Sequence, residues 1–248
     1  MKEILRSFVI VGMILTGLAC CSLLKPEFVS ALEVRIMENS LKETVKDVTG
    51  DANTPEEKLE KIFYFVRDQI VFDFLENSLM SAEEVLAVGR GSCMHKAVLL
   101  AEMAKEAGIP VRLHFMWVSK EALRDLLRPM SYFFWASPFL HTYPEVKLNG
   151  RWVPMEATFD RELHEILLKK NLNFARYPER KDISIQFSKS GVIGAQQLTA
   201  VKGRDPFYAD DITPLKEMIE SLPKFKKKLH PWALRRSSSW LNQKVRTP

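Results

Sequence analysis

The dipeptide Asn149-Gly150 constrains the fold of this chain more than any other feature. It separates two segments rich in β-branched and aromatic residues, Phe139 to Leu148 and Trp152 to Phe159. Asn-Gly favours the positive φ values of a two-residue hairpin turn, so we predict an antiparallel pair of strands here. Such a turn pairs residues 148 and 151 and sets the register of every pair farther from it.

Helical patterns precede this hairpin. Capping residues and apolar residues at helical spacing predict helices within residues 28–48, 55–70, 81–88 and 94–107. Residues 111–118 alternate as a strand with one buried face does, and residues 120–127 predict another short helix. Residues 162–209 give only weak, mixed signals. Helices followed by antiparallel strands indicate an α+β domain.

The N-terminus has the pattern of a targeting or anchoring segment. Residues 8–24 carry no formal charge and follow a short start that contains Lys2 and Arg6. Cys20 and Cys21 lie in a stretch that resembles the bacterial lipoprotein cleavage box, which makes them lipidation candidates. A plain signal anchor with incidental cysteines is an equal alternative. In both cases we expect an exported, membrane-attached protein of the cell envelope.

The positive charge is concentrated at the other end of the chain. Residues 221–248 hold eight of the 36 basic residues and none of the 31 acidic ones. This basic tail either contacts anionic lipid or is a solvated, flexible extension. Since the rest of the chain is mildly acidic, we expect no nucleic-acid partner.

Cys93 is the candidate nucleophile. It follows the turn Gly89-Arg90-Gly91-Ser92 and begins a predicted helix, where unpaired backbone N–H groups and the helix dipole stabilise a thiolate. The same amides can donate to an oxyanion that forms when sulfur attacks a carbonyl. A lone cysteine is also common as a small buried apolar residue.

The hairpin supplies a base for this nucleophile. In the predicted register His141, Glu156 and Asp160 share one face of the ribbon, with both acids diagonal to the histidine. A histidine oriented by a carboxylate is the base that a cysteine nucleophile needs. His95 lies two residues after Cys93 on a helix and points elsewhere, so we interpret it as a solvated or cap-region residue.

Several linked motifs between Thr54 and Asp160 resemble the core of the transglutaminase-like superfamily. They are Glu83-Glu84-Val85-Leu86, Gly91-Ser92-Cys93, Gly108-Ile109-Pro110-Val111-Arg112, His141-Thr142-Tyr143 and Trp152-Val153-Pro154. The resemblance implies a papain-like fold in which a nucleophile helix packs on an antiparallel sheet. It also implies acyl transfer or hydrolysis at a peptide or carboxamide bond through a cysteine thioester.

The resemblance also implies roles for individual residues. Cys93 is the expected nucleophile and His141 the base, while Glu156 stands where the family has aspartate, with Asp160 as the alternative acid. This departure leaves a second hypothesis open, an inactive module that binds peptides at the cell envelope. We expect a peptide or protein substrate and no cofactor or metal.

The predicted domain organisation follows from these signals. It comprises an anchor or signal at 1–24, a helix and linker at 25–53, a transglutaminase-like domain at 54–185, an extension at 186–220 and the basic tail at 221–248.

Overall fold

The computed structural model describes residues 40–135, 138–170, 186–188, 191–193, 202–221 and 224–247. The targeting segment with Cys20 and Cys21 lies outside these ranges, so the predictions made for it remain predictions. Within them, no helix combines the length and the apolar character needed to cross a bilayer.

Four helices form the first half of the described chain. They are α1 (residues 40–49), α2 (Pro55–Gln69), α3 (Ala82–Val88) and α4 (Cys93–Glu106). The predicted capping boxes are present, since the hydroxyl oxygens of Thr54 and Ser81 accept hydrogen bonds from the backbone N–H groups of Glu57 and Glu84. Local sequence therefore sets where α2 and α3 begin.

Short strands flank α3. Strands β1 (Val71–Phe72) and β2 (Arg90–Gly91) pair in parallel, which ties the segment after α2 to the turn before α4. This pairing holds the start of α4 against the body of the domain.

The main sheet has four strands. These strands are β3 (Val111–Val118), β4 (Phe139–Leu148), β5 (Arg151–Pro154) and β8 (Phe207–Ala209), and they lie side by side in the order β5-β4-β3-β8. A separate antiparallel pair is formed by β6 (Gln186–Ser188) and β7 (Gly191–Ile193). All pairs in the main sheet are antiparallel, which together with the helices confirms the predicted α+β class.

The hairpin between β4 and β5 has the predicted turn and register. Asn149 and Gly150 have φ of 49° and 78°, and Leu148 pairs with Arg151. The second strand is shorter than predicted, because the ladder ends at Pro154 rather than Phe159. Residues 155–160 leave the sheet and lead into the next helix.

Both faces of β3 are covered, so the prediction of one buried face was wrong. Leu113 and Phe115 pack with Ala97 and Ala101 of α4. On the other face Met116 belongs to an apolar cluster with residues of the C-terminal segment. The strand alternates between two cores rather than between core and solvent.

The remaining helices follow β3, and residues from several of them are buried in the cluster that contains Met116. A 3₁₀ turn (Lys120–Leu123) replaces the helix expected at 120–127, and it is followed by α5 (Pro129–Phe134), α6 (Arg161–Lys169), α7 (Thr213–Ser221) and α8 (Lys224–Trp240). Helix α8 continues into a π-helical turn (Leu241–Val245). Leu234, Leu241 and Val245 are buried against Phe159 and Leu163. The described part of the basic tail is therefore folded onto the domain, unlike a flexible extension.

Candidate active site

Cys93 is the first residue of α4 and its side chain is half-buried. Gly89 has a φ of 68° and ends α3, after which Ser92 takes the N-cap position of α4. A Cβ at Gly91 would lie 2.4 Å from the Cβ of His95, a separation that real side chains do not reach. Only glycine fits this turn, which places the thiol at the helix start.

His95 is a capping residue rather than a member of the site. Its Nδ1 accepts a hydrogen bond from the backbone N–H of Ser92 at 3.0 Å, so Nε2 carries the proton and donates to the carbonyl oxygen of Asn77 at 2.7 Å. Burial lowers the pKa of His95, and the imidazole is neutral. The predicted capping role agrees with this geometry, but the ring is buried rather than solvated.

The structure brings Cys93, His141 and Glu156 together. Nε2 of His141 lies 2.9 Å from Oε1 of Glu156, and both side chains are 1% exposed. The sulfur of Cys93 also interacts electrostatically with the imidazole of His141 and raises its pKa. The imidazole therefore interacts with both the nucleophile and a buried carboxylate.

The electrostatics of this group favour a charged imidazole. Burial by itself lowers the pKa of His141, but the charges of Glu156 and Cys93 and the hydrogen bond to Glu156 outweigh it and raise this pKa to about 10. His141 is therefore protonated at neutral pH, and an imidazolium stabilises a neighbouring thiolate.

Asp160 does not take part in this group. Its carboxylate accepts hydrogen bonds from the backbone N–H groups of Phe72 (2.8 Å) and Leu163 (2.9 Å), so it caps α6. The guanidinium of Arg246 forms an ion pair with it at 2.6 Å. Burial would raise the pKa of Asp160, yet Arg246 and the backbone donors hold it below its usual value. The oxygens of Asp160 are therefore engaged by the backbone and by Arg246, whereas Glu156 is the acid that contacts His141.

Lys96, one turn after Cys93, is a buried residue that the sequence analysis did not single out. Its Nζ donates to the carbonyl oxygens of Arg67 (2.9 Å) and Ile70 (2.7 Å) at the end of α2. Burial lowers its pKa to about 7. The sequence did contain a signal for this burial, because Lys96 lies in a helix whose alanine, valine and leucine residues form a buried face. Lys96 joins the first turn of the nucleophile helix to α2.

A second histidine lies near His141 on the sheet. His114 of β3 is opposite Tyr143 of β4, and its Nδ1 makes a hydrogen bond with the Tyr143 hydroxyl. The rings of Tyr143 and His141 are 6.1 Å apart. Burial lowers the pKa of His114, and the charge of His141 acts in the same direction. His114 is therefore a neutral neighbour of the charged His141.

The donor groups described here do not form a metal site. Across the described ranges, His, Cys, Asp and Glu side chains nowhere gather in a group of three or more that could hold a metal ion. The chemistry that these residues offer is nucleophilic attack by sulfur with acid–base assistance from the imidazole.

Comparison with known proteins identifies the matching part of the chain. Residues 42–157 match the family model for the transglutaminase-like superfamily. A candidate cysteine protease from Cytophaga hutchinsonii is 21% identical, with a TM-score of 0.39 over 48% of this chain and 37% of that chain. A candidate protease from Parabacteroides distasonis is 16% identical, with a TM-score of 0.37 over 48% of this chain and 23% of that chain. This chain thus spans well under half the length of either protein. No curated protein sequence matches it.

Proposed function

Because residues 42–157 match the family model for the transglutaminase-like superfamily, we propose that this chain is a thiol enzyme of that superfamily that uses Cys93, His141 and Glu156. The observation that carries this proposal is the buried 2.9 Å contact between His141 and Glu156, beside a thiol at a helix start. The reaction would be acyl transfer or hydrolysis at a peptide or carboxamide bond.

In the first step the Cys93 proton resides on His141, and the thiolate attacks the carbonyl carbon of the substrate. A C–S bond forms while the carbonyl π electrons move to oxygen, which becomes an oxyanion. The N–H groups in the first turn of α4 have no intrahelical acceptor and can donate to that oxygen. Their position relative to the sulfur follows from Cys93 being the first residue of the helix.

In the second step the C–N bond breaks and a thioester remains on Cys93. The departing nitrogen takes the proton from His141 and leaves as ammonia or an amine. Water or another amine then attacks the thioester, His141 accepts its proton, and the Cys93 thiolate is released. Glu156 keeps the imidazole oriented and stabilises its charged form in each half of the cycle.

Glutamate suits the position of the third residue in this fold. Glutamate is one methylene longer than the aspartate of the family pattern, and residues 155–160 leave the ladder directly after Pro154. The irregular backbone accommodates the longer side chain, whose oxygen still reaches Nε2 of His141. This contact argues against the alternative of an inactive peptide-binding module, which was based on the glutamate.

The direct test is the rate at which iodoacetamide alkylates Cys93 in the full chain, measured at neutral pH by peptide mass spectrometry. His141→Ala and Glu156→Gln should both slow the reaction. A hydrogen bond to a charged group contributes about 1.5 to 3 kcal/mol, which corresponds to a loss of about 10-fold to 150-fold for Glu156→Gln. A Cys93 that is equally reactive in all three proteins would refute the proposal.

Glu145→Gln is a matched control. Glu145 lies on the same strand as His141 and is also largely buried, but its carboxylate accepts from Arg112 at 2.7 Å. We expect the alkylation rate of Cys93 in this variant to match that in the unchanged protein.

Turnover is then followed as ammonia release from a glutamine-bearing peptide with and without an added primary amine, which separates hydrolysis from transfer. Cys93→Ala should abolish either reaction.

A further inference from the structure

Arg246 directly follows the C-terminal π-helical turn, and its side chain is only 10% exposed. Its Nη2 donates to Oδ2 of Asp160 at 2.6 Å, and its Nη1 donates to Oδ1 of the same carboxylate at 3.2 Å. Nη2 also lies 3.2 Å from the carbonyl oxygen of Phe72, to which it donates. One guanidinium therefore joins two segments that are far apart in the sequence.

The first of these segments is strand β1, which holds the turn before the nucleophile. Strand β1 pairs with β2, and Asp73, the residue after Phe72, donates its backbone N–H to the carbonyl oxygen of Gly91 at 3.1 Å. Gly91 is two residues before Cys93. A displacement of β1 would therefore move the start of α4.

The second segment, residues 155–160, carries Glu156. It has neither helical nor strand structure, so its position depends on how its two ends are held. At its start, the backbone N–H of Met155 donates to the carbonyl oxygen of Pro144 at 2.8 Å. At its end, Asp160 accepts hydrogen bonds from the backbone of β1 and from the guanidinium. Loss of the second anchor would leave the carboxylate of Glu156 less firmly placed.

The turn that precedes Arg246 is itself fixed to the domain. Leu241 and Val245 are buried. Nζ of Lys170, at the end of α6, donates to the carbonyl oxygens of Val245 (2.8 Å) and Thr247 (2.7 Å). The arginine is therefore held from its own side as well as by its partners.

We propose that Arg246 is a positioning residue of the active site, because it joins the strand that holds the Cys93 turn to the segment that carries Glu156. It acts through Phe72 and Asp160 rather than on the reacting atoms. This inference rests on the proposed function, since it requires that Glu156 orient His141. A positional error of about 1 Å in a catalytic group is enough to slow a reaction about 100-fold.

The test measures the rate of Cys93 alkylation by iodoacetamide against pH in the full chain, where circular dichroism shows each protein to be folded. With a less firmly placed Glu156 the imidazolium is less stable, and the thiolate forms at higher pH. We expect Arg246→Gln to raise the midpoint of this profile by about one pH unit, or about 10-fold slower alkylation below the midpoint. Arg246→Lys keeps the charge but not the planar fork, so the rise should be smaller.

A double substitution shows whether Arg246 acts through Glu156. Arg246→Gln combined with Glu156→Gln should shift the midpoint by less than the sum of the two single shifts. Additive shifts would overturn the inference. It would also be overturned if Glu156→Gln shifts the midpoint while neither Arg246 variant does. An unshifted midpoint in Glu156→Gln itself would instead refute the proposed function, and the inference with it.

Two control variants separate positioning from loss of stability. Glu162→Gln removes an exposed acceptor that lies 3.4 Å from Nη1 of Arg246 and leaves the contacts with Asp160 in place. Leu59→Ala destabilises the fold through a cavity in α2, where Leu59 is fully buried. Both variants should keep the midpoint of the unchanged protein. A rise in Leu59→Ala as large as that in Arg246→Gln would show that the midpoint follows stability, and would overturn the inference.

Discussion

The stability of this protein in alkaline solution depends on two buried groups that act in opposite directions. Native His141 keeps its proton up to about pH 10, while an unfolded histidine releases it near 6.5. Native Lys96 has a pKa of about 7, while an unfolded lysine has one near 10.5. Each side chain is 1% exposed, so solvent screens neither effect strongly.

The signs follow from which state binds the proton. For His141 the native state binds more protons, so its stabilising contribution is complete below about pH 6.5 and is lost as pH rises through about 10. For Lys96 the unfolded state binds more protons, so raising the pH from about 7 to about 10.5 stabilises the native state. Each group changes the free energy of unfolding by about 1.4 kcal/mol per pH unit. Between pH 7 and 10 the two contributions nearly cancel.

Substitution of one group should reveal the other. With Lys96→Met we expect the free energy of unfolding to fall by about 2 kcal/mol between about pH 8.5, where an unfolded thiol ionises, and pH 10, because only the His141 contribution remains in this range. Glu156→Gln removes the charge that protonates His141, so its free energy of unfolding should instead rise with pH. The unchanged protein should give a nearly level curve between about pH 8.5 and 10.

The assay is urea unfolding followed by circular dichroism at several pH values from 7 to 10, with linear extrapolation to zero urea. The slope against pH is the readout, because Lys96→Met also loses two hydrogen bonds to α2 and is less stable at every pH. A Lys96→Met curve parallel to that of the unchanged protein would show that burial does not keep Lys96 neutral.

Two further substitutions test how the site is held in place. Gly91→Ala should push His95 out of its capping position and destabilise the protein by about 1 to 3 kcal/mol. Alkylation of Cys93 should also become slower. An unchanged melting temperature together with an unchanged alkylation rate would show that an alanine fits at this position. Arg246→Gln should cost about 3 to 5 kcal/mol at neutral pH, because it leaves the buried carboxylate of Asp160 without its cation. That loss in the free energy of unfolding should shrink at acid pH, where Asp160 is protonated. Equal urea midpoints at pH 7 for the Arg246→Gln and unchanged proteins would exclude the ion pair as a stabilising contact.

Several parts of the fold could be read from short stretches of sequence. The boxes at Thr54 and Ser81 start their helices where predicted, and Asn149-Gly150 produces the expected turn and register. These features depend on backbone hydrogen bonds and φ preferences that act within a few residues. The position of Cys93 at a helix start is predictable for the same reason.

The identity of the acid beside His141 was open in the sequence for a physical reason. Alternation along an extended strand places Glu156 and Asp160 on the same face, and the sequence does not show that the ladder ends at Pro154. The structure distinguishes them through Arg246, which lies 86 residues after Asp160 and forms an ion pair with it. A contact over that separation leaves no local signal.

Local sequence thus determined the helix starts, the hairpin and the nature of the reactive side chains. Tertiary structure decided which of those side chains meet, how the second face of β3 is covered, and that the basic tail packs on the domain through Leu234, Leu241 and Val245. Hydrogen bonding and dihedral preference act over a few residues, whereas burial and pairing of charges depend on segments that only folding brings together.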